Sequence, residues 1–291
     1  MRKRIDILYI ALIAACLAVF FGYRMLDSMK TDTTAPEITV DGQLLKVSVW
    51  DADAALLQGV TARDKRDGDV TDSVLVESVT LQDGKGNLLV KYAAFDKSGN
   101  VAKAQREARY TDYESPKFTM SQPLVYRYGS TFDVLSAVGA TDVVDGSIQH
   151  RVRAMAMSDQ SIGTVGIHEV EFQVTNSLGD TVTAVFPVEV YNSDLYDAEL
   201  TLNSYLVYQP KGKIFRPEAY LKEFILRGEE TDLTGGMPKG YELEIRGGVQ
   251  IAIPGVYPVE YRVTYTLENE LSPERSQTFT GYSKLIVIVE G

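Results

Sequence analysis

Asp64, Asp67, Asp69 and Asp72 form the densest set of oxygen donors in this 291-residue chain, gathered around Gly68. A hard cation such as Ca²⁺ takes several carboxylate oxygens from a tight, glycine-containing loop, so these four aspartates are the candidate metal ligands. The run is not an EF-hand, because no glutamate closes the loop in the required register and its flanks read as strands. A second copy, Asp142-Val143-Val144-Asp145-Gly146, keeps only Asp142 and Asp145 of the set. Asp-x-x-Asp-Gly is also a turn in which side chains bond backbone amides, and that simpler reading stands ahead of calcium. No other cofactor is expected.

Catalytic spacing is absent elsewhere. The two histidines, His150 and His168, fall on separate strand-like stretches, and Cys16 sits inside an apolar segment. The chain has no G-x-S-x-G elbow, no H-E-x-x-H and no phosphate loop. The expectation is therefore a protein without catalytic residues. Its 29 Lys+Arg against 40 Asp+Glu, a net charge of −11, oppose nucleic acid as a partner, since phosphate binding needs clustered cations.

Tyrosine is the other recognition chemistry. Nine of the seventeen tyrosines lie beyond residue 193. Tyr257, Tyr261 and Tyr265 alternate with polar residues and read as core, which leaves Tyr205, Tyr208, Tyr220 and Tyr241 as candidate ligand-binding residues.

The elements that position these residues recur. Thr34-Ala35-Pro36-Glu37-Ile38-Thr39-Val40 returns as Glu114-Ser115-Pro116-Lys117-Phe118-Thr119-Met120 and, more loosely, as Tyr196-Asp197-Ala198-Glu199-Leu200-Thr201-Leu202, at spacings of 80 and 82 residues. That period is the length of a small β-sandwich. Each copy ends in period-2 alternation: Leu88, Val90, Tyr92, Ala94 in the first; His168, Val170, Phe172, Val174 in the second; Tyr257 to Tyr265 in the third. Tyr257 precedes Val259 by two residues, the arrangement of a tyrosine corner, and His168 occupies the same place before Val170. A core or corner role for His168 follows. Pro217 at a first helical position, with Ala219, Leu221, Lys222 and Glu223 after it, predicts one to three helical turns.

Ahead of the repeats, Ile7 to Tyr23 carry no charge and lie between Arg2-Lys3-Arg4 and Arg24. As a helix this run would span roughly 25 Å, enough for a thin hydrocarbon core, with the basic N-terminus in the cytoplasm. An uncleaved anchor is the leading expectation. The alternative is a lipoprotein acylated at Cys16, since Ile13-Ala14-Ala15-Cys16 has the look of a lipobox. Either one tethers the remainder outside the cell membrane.

Asp64-Lys65-Arg66-Asp67-Gly68-Asp69-Val70-Thr71, its counterpart at Asp142–Ile148, and Tyr92-Ala93-Ala94-Phe95-Asp96-Lys97-Ser98-Gly99-Asn100-Val101-Ala102 together resemble the bacterial immunoglobulin-like domains of surface proteins, including the hyaline-repeat-related group. The last run is similar to that family's Y-x-A-x-D-x-x-G-N-x-A signature. The second copy departs from it at Thr175-Asn176-Ser177-Leu178, and the third lacks the Gly-Asn turn. The resemblance implies use in adhesion or as spacers.

The resulting expectation is an all-β chain of three tandem immunoglobulin-like sandwiches behind one transmembrane helix: 1–30 anchor, 31–112, 113–193 and a divergent 194–291. Binding of a surface protein or carbohydrate through the third module is the expected function. A strut within an envelope complex is the alternative.

Overall fold

The structure is a computed structural model that describes residues 12–25, 32–51, 53–156, 163–192, 196–268 and 276–291. Strands dominate, as the alternation predicts. Helix α1 covers residues 12–25 and exposes Leu12, Leu17, Phe20 and Phe21, while α2 (Asp53–Leu56) and α3 (Val134–Ala137) are single turns. Residues 7–11 of the expected anchor lie outside the described residues. Among the described residues no helix is long and apolar enough to cross a membrane.

The chain holds three core clusters among its described residues and divides into two compact units, Met1–Tyr113 and Glu114–Gly291. In the first, β1 (Glu37–Val40) pairs antiparallel with β3 (Val60–Asp64), which turns into β4 (Gly68–Asp69). The second sheet orders β2 (Leu45–Val47), β7 (Val101–Tyr110), β6 (Asn87–Phe95) and β5 (Leu75–Leu81), with β2 parallel to β7. Leu88, Val90, Tyr92 and Ala94 of β6 are all buried. At about 1.5–3 kcal/mol for each fully buried large apolar side chain, this face accounts for much of the drive to close one sheet on the other. The Tyr92 hydroxyl donates to the Leu56 carbonyl at 2.8 Å, so the buried phenol is satisfied.

The second unit opens with the same plan. β8 (Lys117–Met120), β10 (Val138–Asp142) and β11 (Gly146–Ser147) form one sheet. β12 (Arg153–Ala156), β13 (Gly166–Thr175), β14 (Thr181–Tyr191) and β9 (Val125–Arg127) form the other, with β9 again parallel to its neighbour. Phe118, Phe172 and Phe186 fill its core, stacked edge-on and tilted at 5.4–5.6 Å between ring centroids.

The rest of the unit repeats the pairing of a first strand with the third and of a second, parallel strand with the last, around a core of its own. Seven strands join in one sheet: β18 (Glu229–Asp232), β17 (Leu221–Leu226), β15 (Ala198–Leu202), β21 (Gln277–Val289), β20 (Gly255–Leu267) and β19 (Tyr241–Arg246), with β16 (Leu206–Gln209) also on β21. The cause is the length of β21. Its 13 residues take β15 at Gly281–Tyr282 and β16 at Ile286–Val289, so one strand serves both layers.

Helix formation at Pro217 stops after a single 3₁₀ turn, Pro217–Tyr220, with the proline in the first turn as predicted. One turn is the lower end of the expected one to three, and the chain then enters β17. Leu221 and Phe224 of β17 are buried in the third core, and the pairing of β15 with β17 shifts register between Thr201 and Leu202.

Both corner residues behave alike. The Tyr257 hydroxyl donates to the Ile253 carbonyl at 2.9 Å, and His168 Nε2 lies 2.8 Å from the Thr164 carbonyl. Each reaches back four residues and fixes the loop entering its strand. Val90, Val170 and Val259, at the positions where antibody domains carry a disulfide cysteine, are at most 1% exposed.

Candidate functional site

The four loop aspartates do not converge. Asp64, the last residue of β3, accepts the Arg66 and Asp67 amides on Oδ1 at 2.7 and 2.9 Å. Asp67 Oδ2 reaches across to the Lys97 amide at 2.9 Å, tying the β3–β4 hairpin to the turn after β6. Asp69 accepts the Thr71 amide at 3.0 Å, and Thr71 holds its carboxyl below the usual range. Asp72 is exposed on a 3₁₀ turn. The turn chemistry therefore prevails in this loop. Gly68, with φ of 78°, takes the left-handed conformation that completes it.

Asp64 has different company. One carboxylate oxygen each from Asp32, Asp64 and Asp96 lie within 4.8 Å of one another. Asp32 approaches β1, Asp64 ends β3 and Asp96 follows β6, so the three meet where strands of both sheets end together. Asp64 and Asp96 are 3% and 7% exposed. Burial pushes the Asp96 carboxyl up, but the Asn100 side chain and the Asn100 and Ser98 amides outweigh it and hold the group below its ordinary value. The Thr34 amide and hydroxyl do the same for Asp32. The Asn100 side-chain amide also donates to the Asp32 carbonyl at 3.1 Å and fixes that segment.

Sequence reasoning took only Asp64 from this trio. Asp96 was visible as the aspartate of the Y-x-A-x-D turn, and Asp32 as the residue two before Thr34. Nothing in linear spacing marks that β1, β3 and β6 end side by side.

The candidate tyrosines are built into the protein. Tyr205 packs on the third core and accepts the Leu202 amide at 3.4 Å. Tyr220 stacks on Phe215 at 5.6 Å. Tyr241 stacks on Tyr265 at 4.5 Å, meets Phe224 edge-on and shares a 3.0 Å hydrogen bond with Thr231. Tyr208 packs against the second core, where its hydroxyl accepts the Phe118 amide at 2.7 Å and burial pushes the phenol up to about 12. All four are half-buried.

Tyr208 belongs to a joint between the two cores of the second unit. Leu206 and Ile286, strand residues of the third repeat, are buried within the second core. Lys284, 2% exposed along its side chain, is ion-paired with Glu189 of β14 and lies 3.7 Å from Glu260. The Tyr282 hydroxyl donates to Glu189 at 2.9 Å, and burial followed by the Glu189 charge drives that phenol far above its ordinary range. Tyr196 stacks on Tyr282 at 4.7 Å.

No protein family model matches the chain, nor does any curated protein. Among solved structures it is similar to one of the CBM51-2, in complex with GlcNAc, and INT domains of Clostridium perfringens ZmpB: 21% identity, 57% of this chain and 31% of that one covered, TM-score 0.22. Drosophila N-cadherin EC1-4 gives 14% identity, coverage of 79% and 63%, and a TM-score of 0.21. The protocadherin GammaB4 extracellular domain gives 12% identity, coverage of 87% and 49%, and a TM-score of 0.20. The chain spans less than two thirds of the length of each.

Proposed function

We propose that this chain is a non-enzymatic, membrane-anchored extracellular protein of immunoglobulin-like modules that acts by binding a surface protein or carbohydrate. The observation that carries this reading is the joint in residues 114–291. A terminal segment whose Leu206 and Ile286 fill the preceding core is locked to it, and a locked pair of β-layers suits presenting a surface at fixed orientation. The contact surface falls to Ile214 and Ile253, 78% and 54% exposed, since the tyrosines are engaged internally. Their loops are tied by the Gly212 amide donating to the Ile251 carbonyl at 2.7 Å. The internal use of the tyrosines also favours a second reading, a strut in an envelope complex contacted through the segment Ile7 to Tyr23.

Incubating the full-length chain in detergent with native envelope proteins and polysaccharides tests the choice. Retention of a ligand by the wild type, weakened at least severalfold by Ile214→Asp with Ile253→Asp, supports binding. A chain that retains no soluble ligand yet co-purifies with membrane proteins replaces it with the strut.

A further inference from the structure

The Asp32–Asp64–Asp96 group differs from ordinary surface acid in what its oxygens lack. Asp32 Oδ1 is taken by the Thr34 amide and hydroxyl at 3.0 and 2.8 Å, but Oδ2, although sealed from solvent, has no hydrogen-bond partner among the described residues. A buried carboxylate oxygen left unpaired beside two further carboxylates is costly, because desolvation and like-charge repulsion act together. The Arg66 charge acts on Asp32, one cation against three anions.

The second repeat supplies an internal comparison. Asp142 matches Asp64 and braces its hairpin with the same pair of bonds, to the Val144 and Asp145 amides, both at 2.9 Å. At the place of Asp96 stands Asn176, whose side-chain amide donates to Asp142 Oδ2 at 3.1 Å. At the place of Asp32 stands Asp112, whose carboxylate is used by Ser48 Oγ and the Val49 amide at 2.6 and 2.9 Å. The second repeat thus satisfies its buried aspartate with an amide donor. The first repeat offers a carboxylate where that donor would be, and a carboxylate has nothing to donate.

We propose that Asp32, Asp64 and Asp96 bind a calcium ion, which locks the segment before β1 to the ends of β3 and β6. The donors are all hard oxygens, without the nitrogen or sulfur that would favour a transition metal. Calcium–oxygen distances of about 2.3–2.6 Å place ligands on opposite sides of the ion roughly 4.6–5.2 Å apart, a span compatible with the spread of this trio. Sites of this openness in extracellular modules hold calcium with dissociation constants on the order of 10⁻⁴–10⁻³ M. The ion would replace the amide that Asn176 provides in the second repeat. This site is independent of the binding surface proposed above.

Calorimetric titration of the chelator-stripped full-length chain with CaCl₂ is the direct test, alongside its thermal unfolding with and without the ion. One equivalent should bind, and calcium should raise the unfolding midpoint of the first unit. Asp96→Asn, which installs the arrangement of Asn176, should weaken binding at least about tenfold, the scale on which ligand charge tunes such sites, and abolish the calcium-dependent rise. Asp32→Asn, outside any strand, should do the same and covers the case in which Asp96→Asn fails to fold. No saturable binding by the wild type up to several millimolar Ca²⁺, or wild-type affinity in a folded Asp96→Asn or Asp32→Asn chain, overturns the proposal.

Discussion

Tyr208 sits half-buried with its hydroxyl on the Phe118 amide, and its phenol is pushed up to about 12 from 10.0. Its neutral form is favoured in the folded chain, so its contribution to stability is complete below pH 10 and is lost as pH rises towards 12. Tyr261 and Tyr282 are raised further, chiefly by burial, and extend the decline. Tyr208→Phe should therefore flatten, without abolishing, the alkaline fall in stability measured by urea denaturation between pH 9 and 12. At neutral pH the same change leaves the buried Phe118 amide without an acceptor and should cost about 1–3 kcal/mol. None of this was readable from composition. Tyr208 stood among the candidate ligand-binding residues because no long alternating run includes it, whereas Tyr261, in an unbroken alternating run, was legible as core.

Lys284 is the clearest case at the scale of elements. It lies on β21 between Ser283 and Leu285, both fully buried, and its charge is met by Glu189 from β14 of the other core. Glu189→Ala would strand this cation, with Glu260 at 3.7 Å as its remaining carboxylate, and remove the acceptor of Tyr282. Breaking a buried pair from one side costs about 3–5 kcal/mol, so denaturant unfolding should show a loss of that order. Adding Lys284→Met should recover most of it, because removing both charges relieves the desolvation that one alone must bear. A double variant as unstable as Glu189→Ala would show that Glu189 acts by packing instead. Strand existence was legible throughout, since period-2 patterns placed β6, β13 and β20. A buried lysine in such a pattern reads as an outward-facing position, and the sharing of β21 between β15 and β16 was hidden for the same reason: β21 is buried on both faces over Ser283–Val287, so no polar alternation marks the layer it shares.

The repeat spacings marked three segments of the whole molecule, each with its own turn and its own alternating strands. They could not mark where cooperativity divides. That depends on which segment buries Leu206 and Ile286, and both read as ordinary strand residues of the third repeat. Because they lie in the second core, opening the terminal segment exposes Phe118 and Phe186 as well as its own interior, and the free energies of the two cores are coupled. Calorimetric unfolding of the full-length chain should then show two transitions, one for each compact unit, with residues 114–291 melting together. Replacing Leu206 and Ile286 by Ala removes buried volume from the joint at about 2–5 kcal/mol per site. That change should split the second transition while leaving the first in place. Three transitions in the wild type would mean that the third segment folds and opens alone. The stiffness on which the binding reading rests would then have to come from a ligand, since a segment free to open independently fixes no orientation.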